Sequence, residues 1–294
     1  MKMIIHTDKT TMLKHLRFAS IILASSVLIA CGGEAGTQSS GDMPTNSVEL
    51  SPTQVLANQS MDAVLWFNTS AEANYIYRQT YALAQMKLEE NLESAEPGHP
   101  YAVVLDIDET VLDNSPYQVQ LLKDGATFSN GSWTEWVRAE QAKALPGALG
   151  FTLFCESRGI EVFYISNRSN EFLKSTLNNL AKEGFPFTDE DHILLMDGPE
   201  SDKTDRRMRV AGAYQILLYC GDNLRDYKED FSARDRDFGK DYVQQMEADL
   251  QRNFILFPNP MYGEWTRFYV RDEPTAEMEA KRGAVDRILE TMGE

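Results

Sequence analysis

Four short apolar runs rich in β-branched and aromatic residues constrain this chain most: AVVLD at 102–106, EVFYIS at 161–166, ILLYCGD at 216–222 and FILFP at 254–258, with HILLM at 192–196 as a weaker fifth. Stretches of helical periodicity separate them. Strands that are apolar on both faces and alternate with helices belong in a parallel sheet covered by helices on both sides. The expected fold class is therefore α/β. Ahead of the first run, Leu65, Tyr75, Tyr81, Leu88 and Leu92 recur among polar residues between Ser60 and Ser94, which predicts an N-terminal helical layer.

In sheets of this kind, ligands bind outside the carboxyl ends of the strands. Asp106 ends the first run, Ser166 ends the second, and Asp222 and Asp226 end and follow the third, so polar groups distant in sequence should converge on one edge. The first of these ends is unusually acidic: Asp106, Asp108, Glu109 and Asp113 fall within eight positions of VVLDIDETVLDNSPY. In extended backbone Asp106 and Asp108 point to the same side. Two carboxylates so close repel each other unless a cation lies between them, and a divalent ion would also explain Asp222 at the neighbouring strand end.

Residue counts remove other chemistries. The chain has three cysteines and four histidines, of which Cys155, Cys220, His99 and His192 lie beyond residue 31. Both of these cysteines sit in apolar contexts, which suits core thiols, and neither has an arginine six residues on, as a Cys-loop phosphatase would require. Two histidines are too few for a His-rich zinc site. The formal net charge is −17, and the first 30 residues carry four basic residues against one acidic residue, so the remainder is more acidic still. A field of that sign disfavours nucleic acid and anionic membrane as partners. A phosphate-bearing substrate would need local positive charge, and a metal ion would supply it.

The N-terminus reads as an export signal. Lys14 and Arg17 precede the apolar run FASIILASSVLIA, which is too short to span a bilayer and ends in LIAC at Cys31. A small residue before such a cysteine is the pattern of bacterial lipoprotein processing. Residues 1–30 are expected to be the signal peptide, with Met12 as an alternative start, and Cys31 the lipidated residue. Residues 31–59, rich in Gly, Ser and Thr, are expected to be a flexible tether, and residues 60–294 the folded domain.

DIDET (106–110), SNR (166–168), Lys203 within SDKTDRR, and GDNLRD (221–226) resemble, in order and spacing, the four motifs of haloacid-dehalogenase-superfamily (HAD) phosphatases. More narrowly, AVLW (63–66), LDNSPY (112–117), WTEWV (133–137), PGA (146–148) and LFPNPMYGEW (256–265) are similar to the bacterial class C acid phosphatases, the outer-membrane lipoprotein 5′-nucleotidase group. The resemblance covers roughly residues 60–290 and implies a Rossmann-like HAD fold with a small cap at about 112–146. Gly32, directly after Cys31, fits outer-membrane sorting.

The resemblance implies roles residue by residue. Asp106 would be the nucleophile, and Asp108 the acid that protonates the leaving oxygen and then the base that activates water. Ser166 and Lys203 would hold the phosphoryl group, and Asp106, the Asp108 carbonyl and Asp222 would ligate Mg²⁺, with Asp226 as outer support. Asn167 and Arg168 would contact substrate, and Trp133 and Tyr262 would sandwich a nucleobase. Only a small cap fits between Asp108 and Ser166, so the site should be open to sizeable leaving groups. The expected activity is Mg²⁺-dependent hydrolysis of phosphomonoesters, nucleoside 5′-monophosphates first. A broad phosphomonoesterase without nucleotide preference, and a non-catalytic ligand-binding lipoprotein, are the alternatives.

Overall fold

The computed structural model describes residues 49–234 and 236–292. Cys31, the apolar run before it and the tether as far as residue 48 lie outside the described residues.

Three helices open the chain: α1 (Pro52–Gln59), α2 (Met61–Thr69) and α3 (Ala71–Glu93). The first corrects the tether boundary, because residues 52–59 are helical. Ser51 and Gln54 form a reciprocal capping box, Pro52 stands in the first turn, and Leu56 and Ala57 are buried. A polar composition concealed a capped helix that has an apolar face to bury. The helical layer expected from Ser60 onward is broken at Ser70, whose extended backbone ends α2 and whose side chain caps α3 by accepting from the Ala73 N–H. Along α3, Tyr77, Tyr81, Ala84, Leu88 and Asn91 form the buried stripe, at the i, i+4, i+7 spacing of one helix face.

The sheet begins with β1 (Tyr101–Leu105). An insertion follows, comprising β2 (Leu112–Asp113), α4 (Ser115–Asp124), α5 (Asn130–Ala139) and β3 (Lys143–Ala144), and the antiparallel pairing of β2 with β3 closes its base. The chain then runs through α6 (Ala148–Ser157), β4 (Glu161–Ser169), α7 (Leu173–Glu183), β5 (Ile193–Met196), α8 (Thr204–Ala211), β6 (Gln215–Gly221), α9 (Leu224–Tyr227), α10 (Lys240–Gln245), α11 (Glu247–Asn253), β7 (Phe254–Leu256) and α12 (Pro274–Met292).

Five strands form one parallel sheet in the order β5-β4-β1-β6-β7. The chain builds outward from β1 in one direction through β4 and β5, then returns to the other side of β1 through β6. That reversal makes the β1/β6 boundary the topological switch point, where open α/β sheets bind ligands. Side chains of β1 alternate between two cores. Val103 and Leu105 join the large cluster with Tyr77, Tyr81 and Leu88 of α3, Phe151 of α6 and Leu180 of α7. Ala102 and Val104 join a smaller cluster under Val210 of α8. Both faces of the sheet are thus covered, and the apolar run needs no polar alternation.

Candidate functional site

Asp106 is the first residue past β1, and its N–H still bonds the Cys220 carbonyl at 2.9 Å, so its carboxylate is fixed at the sheet edge beside the end of β6. Two residues on, the chain turns sharply. Glu109 takes a left-handed backbone with φ of 56°, and the N–H groups of Val111 and Leu112 both return to the Ile107 carbonyl at 2.9 Å. From the helical layer, Tyr77 donates to the Glu109 carbonyl and Tyr81 to the Thr110 carbonyl, each at 2.6 Å. Two tyrosines one helical turn apart therefore clamp the acidic turn from behind.

Lys203 closes the centre of the site. It is buried, and its Nζ donates to Asp106 Oδ1, to Asp226 Oδ1 at 2.7 Å and to the Ile165 carbonyl at 2.8 Å. Asp226 is held at its other oxygen by the Asn223 N–H at 2.9 Å, within the capping box of α9, and Arg207 braces that turn by donating to the Arg225 and Asp226 carbonyls. Asp222 receives the Asn259 side-chain NH₂ at 2.8 Å, while Asn259 Oδ1 accepts from the N–H groups of Met261 and Tyr262. One asparagine thus ties an acidic residue of the site to the loop that carries Tyr262.

Asp106, Asp222 and Asp226 each offer an oxygen within 4.8 Å of the others. Burial pushes Asp106 up to about 7 against the pull of Lys203, with Asp226 and Asp108 adding to the rise, and burial together with Asp226 and Asp106 pushes Asp222 well above the usual carboxylate range. Lys203 itself is raised: burial lowers it, but Asp106 and Asp226 outweigh that and keep it charged. Three carboxylates against one ammonium leave a deficit of positive charge. An all-oxygen donor set with that deficit suits a hard divalent cation such as Mg²⁺. Because both oxygens of Asp226 are already engaged, Asp106 and Asp222 are the better-disposed ligands.

Asp108 lies apart from this cluster, on the cavity side. Its Oδ1 receives Arg168 Nη2 at 2.7 Å, Asn114 Nδ2 at 2.7 Å and Arg168 Nε at 3.0 Å, and its Oδ2 receives Arg168 Nε at 3.2 Å and the Ser166 hydroxyl at 3.3 Å. Arg168, which the resemblance casts as a substrate contact, lines the cavity and is also a buried partner of Asp108, with its guanidinium 5.7 Å from the centre of the Trp133 ring. Ser166 is buried and accepts the Arg168 N–H at 3.0 Å, while Asn167 is exposed at the rim and accepts Arg206 Nη2 at 2.6 Å. Arg206 also holds the Ser166 carbonyl at 2.6 Å.

These groups open into a cavity of about 380 Å³. Asp106, Asp108, Ser166, Lys203 and Asp222 line it. Tyr117, Phe128 and Trp133 of the insertion line it on one side, and Tyr262 lines it from the loop after β7. Trp133 meets Tyr117 edge-on at 5.3 Å and Phe128 at 6.3 Å. Sequence reasoning gave Asn114, Tyr77, Tyr81, Arg206 and Asn259 no firm place here. The spacing of Tyr77 and Tyr81 on one helix face was a usable signal for the clamp; nothing local marks Arg206 or Asn259.

Residues 37–265 match the family described as HAD superfamily, subfamily IIIB (Acid phosphatase). Among solved structures, the class C acid phosphatase from Bacillus anthracis is 35% identical, covers 78% of this chain and 97% of its own, and superposes with a TM-score of 0.73; the same protein with tungstate bound gives 0.70. Curated relatives are more distant. Acid phosphatase 1 of Solanum lycopersicum is 28% identical over 167 residues, and the stem 31 kDa glycoprotein of Glycine max is 26% identical over 172. The chain spans 57% and 61% of the length of these two relatives, and the matches take in 54% and 57% of the chain. With the parallel sheet, its switch point and the acidic site already in register, these matches place the chain in the HAD superfamily, subfamily IIIB, the acid phosphatases.

Proposed function

We propose that the chain hydrolyses phosphomonoesters, nucleoside 5′-monophosphates among them, through a phosphoryl group carried on Asp106 and with Mg²⁺ bound at Asp106, the Asp108 carbonyl and Asp222. The observation that carries this reading is Lys203, which bridges Asp106 and Asp226 at the floor of a cavity whose wall holds Asp108 two residues further on.

Phosphoryl transfer asks mainly for positioning and for cancellation of charge. An Asp106 oxygen attacks phosphorus while the bond to the ester oxygen breaks, and the Asp108 proton passes to that oxygen, releasing the alcohol. Water then attacks the phosphorus of the aspartyl-phosphate and gives its proton to Asp108, which frees phosphate and regenerates Asp106. Lys203 and the Ser166 hydroxyl hold phosphoryl oxygens throughout. Bound Mg²⁺ would offset the negative charge shared by the carboxylates and the phosphate.

Nucleotide preference is supported by the aromatic walls. Trp133 and Tyr262 line one cavity from different parts of the chain and offer ring faces for stacking, which tolerates any base. A lipid anchor on Cys31 is supported by the LIAC segment, and outer-membrane sorting by Gly32 directly after it. The test is a phosphate-release screen comparing nucleoside monophosphates with aliphatic phosphates, each with and without Mg²⁺. Mg²⁺-dependent release that is faster from nucleotides supports the reading. Release from aliphatic esters alone favours a general phosphatase, and no release from any ester contradicts the enzyme.

A further inference from the structure

LDNSPY places an asparagine within hydrogen-bond reach of Asp108. Asn114 is wholly buried and absent from the cavity wall, so its side chain reaches substrate only through other groups. Its orientation is set by two donors to Oδ1, of which the Trp136 indole is the nearer and Arg168 Nη2, at 3.4 Å, the farther. The Trp136 indole N–H can only donate, and it lies 2.7 Å from Asn114 Oδ1. The amide NH₂ must then face the other way, where it meets Asp108 Oδ1 at 2.7 Å and Glu109 Oε2 at 3.4 Å. The Asn114 backbone N–H is fixed as well, on Glu109 Oε1 at 2.8 Å.

The consequence falls on the two oxygens of Asp108. Oδ1 accepts three donors at 2.7 to 3.0 Å, and a proton placed there would point into one of them. Oδ2 has only the longer contacts to Ser166 and Arg168. We infer that Asn114, locked by Trp136, is a positioning residue that confines the transferable proton of Asp108 to Oδ2. The inference rests on the proposed role of Asp108 as proton donor to the leaving oxygen.

A positioning role of this kind is visible in leaving-group dependence. An alkyl phosphate needs its leaving oxygen protonated, whereas p-nitrophenyl phosphate, with an acidic phenol, needs little help. The measured quantity is kcat/KM, which covers the steps through departure of the alcohol. Asn114→Asp keeps size and the Trp136 contact but turns an oxygen toward Asp108. It should lower kcat/KM for an alkyl monoester on the order of 10²-fold, the scale of a lost general acid, and for p-nitrophenyl phosphate less than about tenfold. Trp136→Phe, which removes the nearer donor to Asn114 Oδ1 and leaves only the longer Arg168 contact while keeping an aromatic ring, should show the same contrast at smaller amplitude. Asp108→Asn sets the contrast that loss of the acid itself produces. Equal losses on both substrates in the Asn114 and Trp136 variants, beside a clear contrast in Asp108→Asn, would overturn the positioning role alone. Equal losses in Asp108→Asn would overturn the reading of Asp108 as acid and the inference with it. Should Asn114→Asp fail to fold, the Trp136→Phe contrast decides by the same criterion.

Discussion

Tyr77, on the third helix of the N-terminal layer, donates its hydroxyl to the Glu109 carbonyl at 2.6 Å and lies 3.1 Å from the Pro258 carbonyl, joining that layer to both the acidic turn and the segment leading to Tyr262. Its ring is buried between Phe67 and Phe257. The helical layer is therefore part of what holds the acidic turn, whose left-handed residue, Glu109, is not a glycine.

Tyr77→Phe keeps the ring and removes the donor, leaving buried carbonyls unsatisfied. The expected cost is about 1 to 3 kcal/mol of folding stability, read as a lower urea midpoint at unchanged slope. An unchanged midpoint would show that the hydroxyl does not brace the turn.

Gly221 is required by the close approach of Asp226. A Cβ at that position would collide with Cβ, Cγ and Oδ2 of Asp226, so Gly221→Ala must displace the carboxylate that fixes Lys203. Misplacing a group at a reacting centre by an ångström costs on the order of 10²-fold in rate, and kcat/KM of the variant should fall on that scale. Activity within a few-fold of wild type would mean that Asp226 does not set the position of Lys203.

How far the site could be read from the chain follows from the kind of contact involved. Asp106, Ser166, Lys203 and Asp222 sit at the ends of apolar runs or in motifs whose spacing survives in one dimension, and the sheet order then brings them together. The beginning of the fold was misread because capping by Ser51 and Gln54 is a two-residue signal inside a polar segment. Arg168 lines the cavity and also pairs with Asp108, 60 residues away in sequence, a partnership that no local spacing reveals. Asn259 and Arg206 act across long sequence separations, through hydrogen bonds that leave no periodic trace.

His192 gives a stability dependence on pH at the sheet edge, away from the acidic site. Its ring lies between Phe163 and Phe187, with Nδ1 2.7 Å from Asp189 and Nε2 2.9 Å from Glu161, whose carboxylate also accepts from Tyr214. Burial lowers its pKa, but the hydrogen bonds to Asp189 and Glu161 outweigh that, and the net shift is upward. A group raised on folding stabilises fully below its unfolded value, about 6.5, and loses that contribution as pH rises through the folded value. The stability difference between wild type and His192→Gln should therefore be greatest in mild acid and shrink above neutrality. A difference that stays constant or grows with pH would contradict the ion-pair assignment.

Trp133→Ala and Tyr262→Ala separate recognition from chemistry. If the rings hold a base, each truncation should remove stacking worth about 1 to 3 kcal/mol and lower kcat/KM for nucleoside monophosphates by roughly tenfold or more. A small aliphatic phosphate makes no such contact and should lose little. Equal losses on both would assign the rings to supporting the site.

The central claim, that Asp106 carries the phosphoryl group, is tested most directly by acid-quenching wild-type enzyme during turnover with Mg²⁺ and mapping the modified peptide by mass spectrometry. One added phosphoryl group is expected on the peptide containing Asp106, absent after chelation of the metal and absent in Asp106→Asn, which should remain folded and inactive. A phosphoryl group on another residue, or full turnover by folded Asp106→Asn, would contradict it.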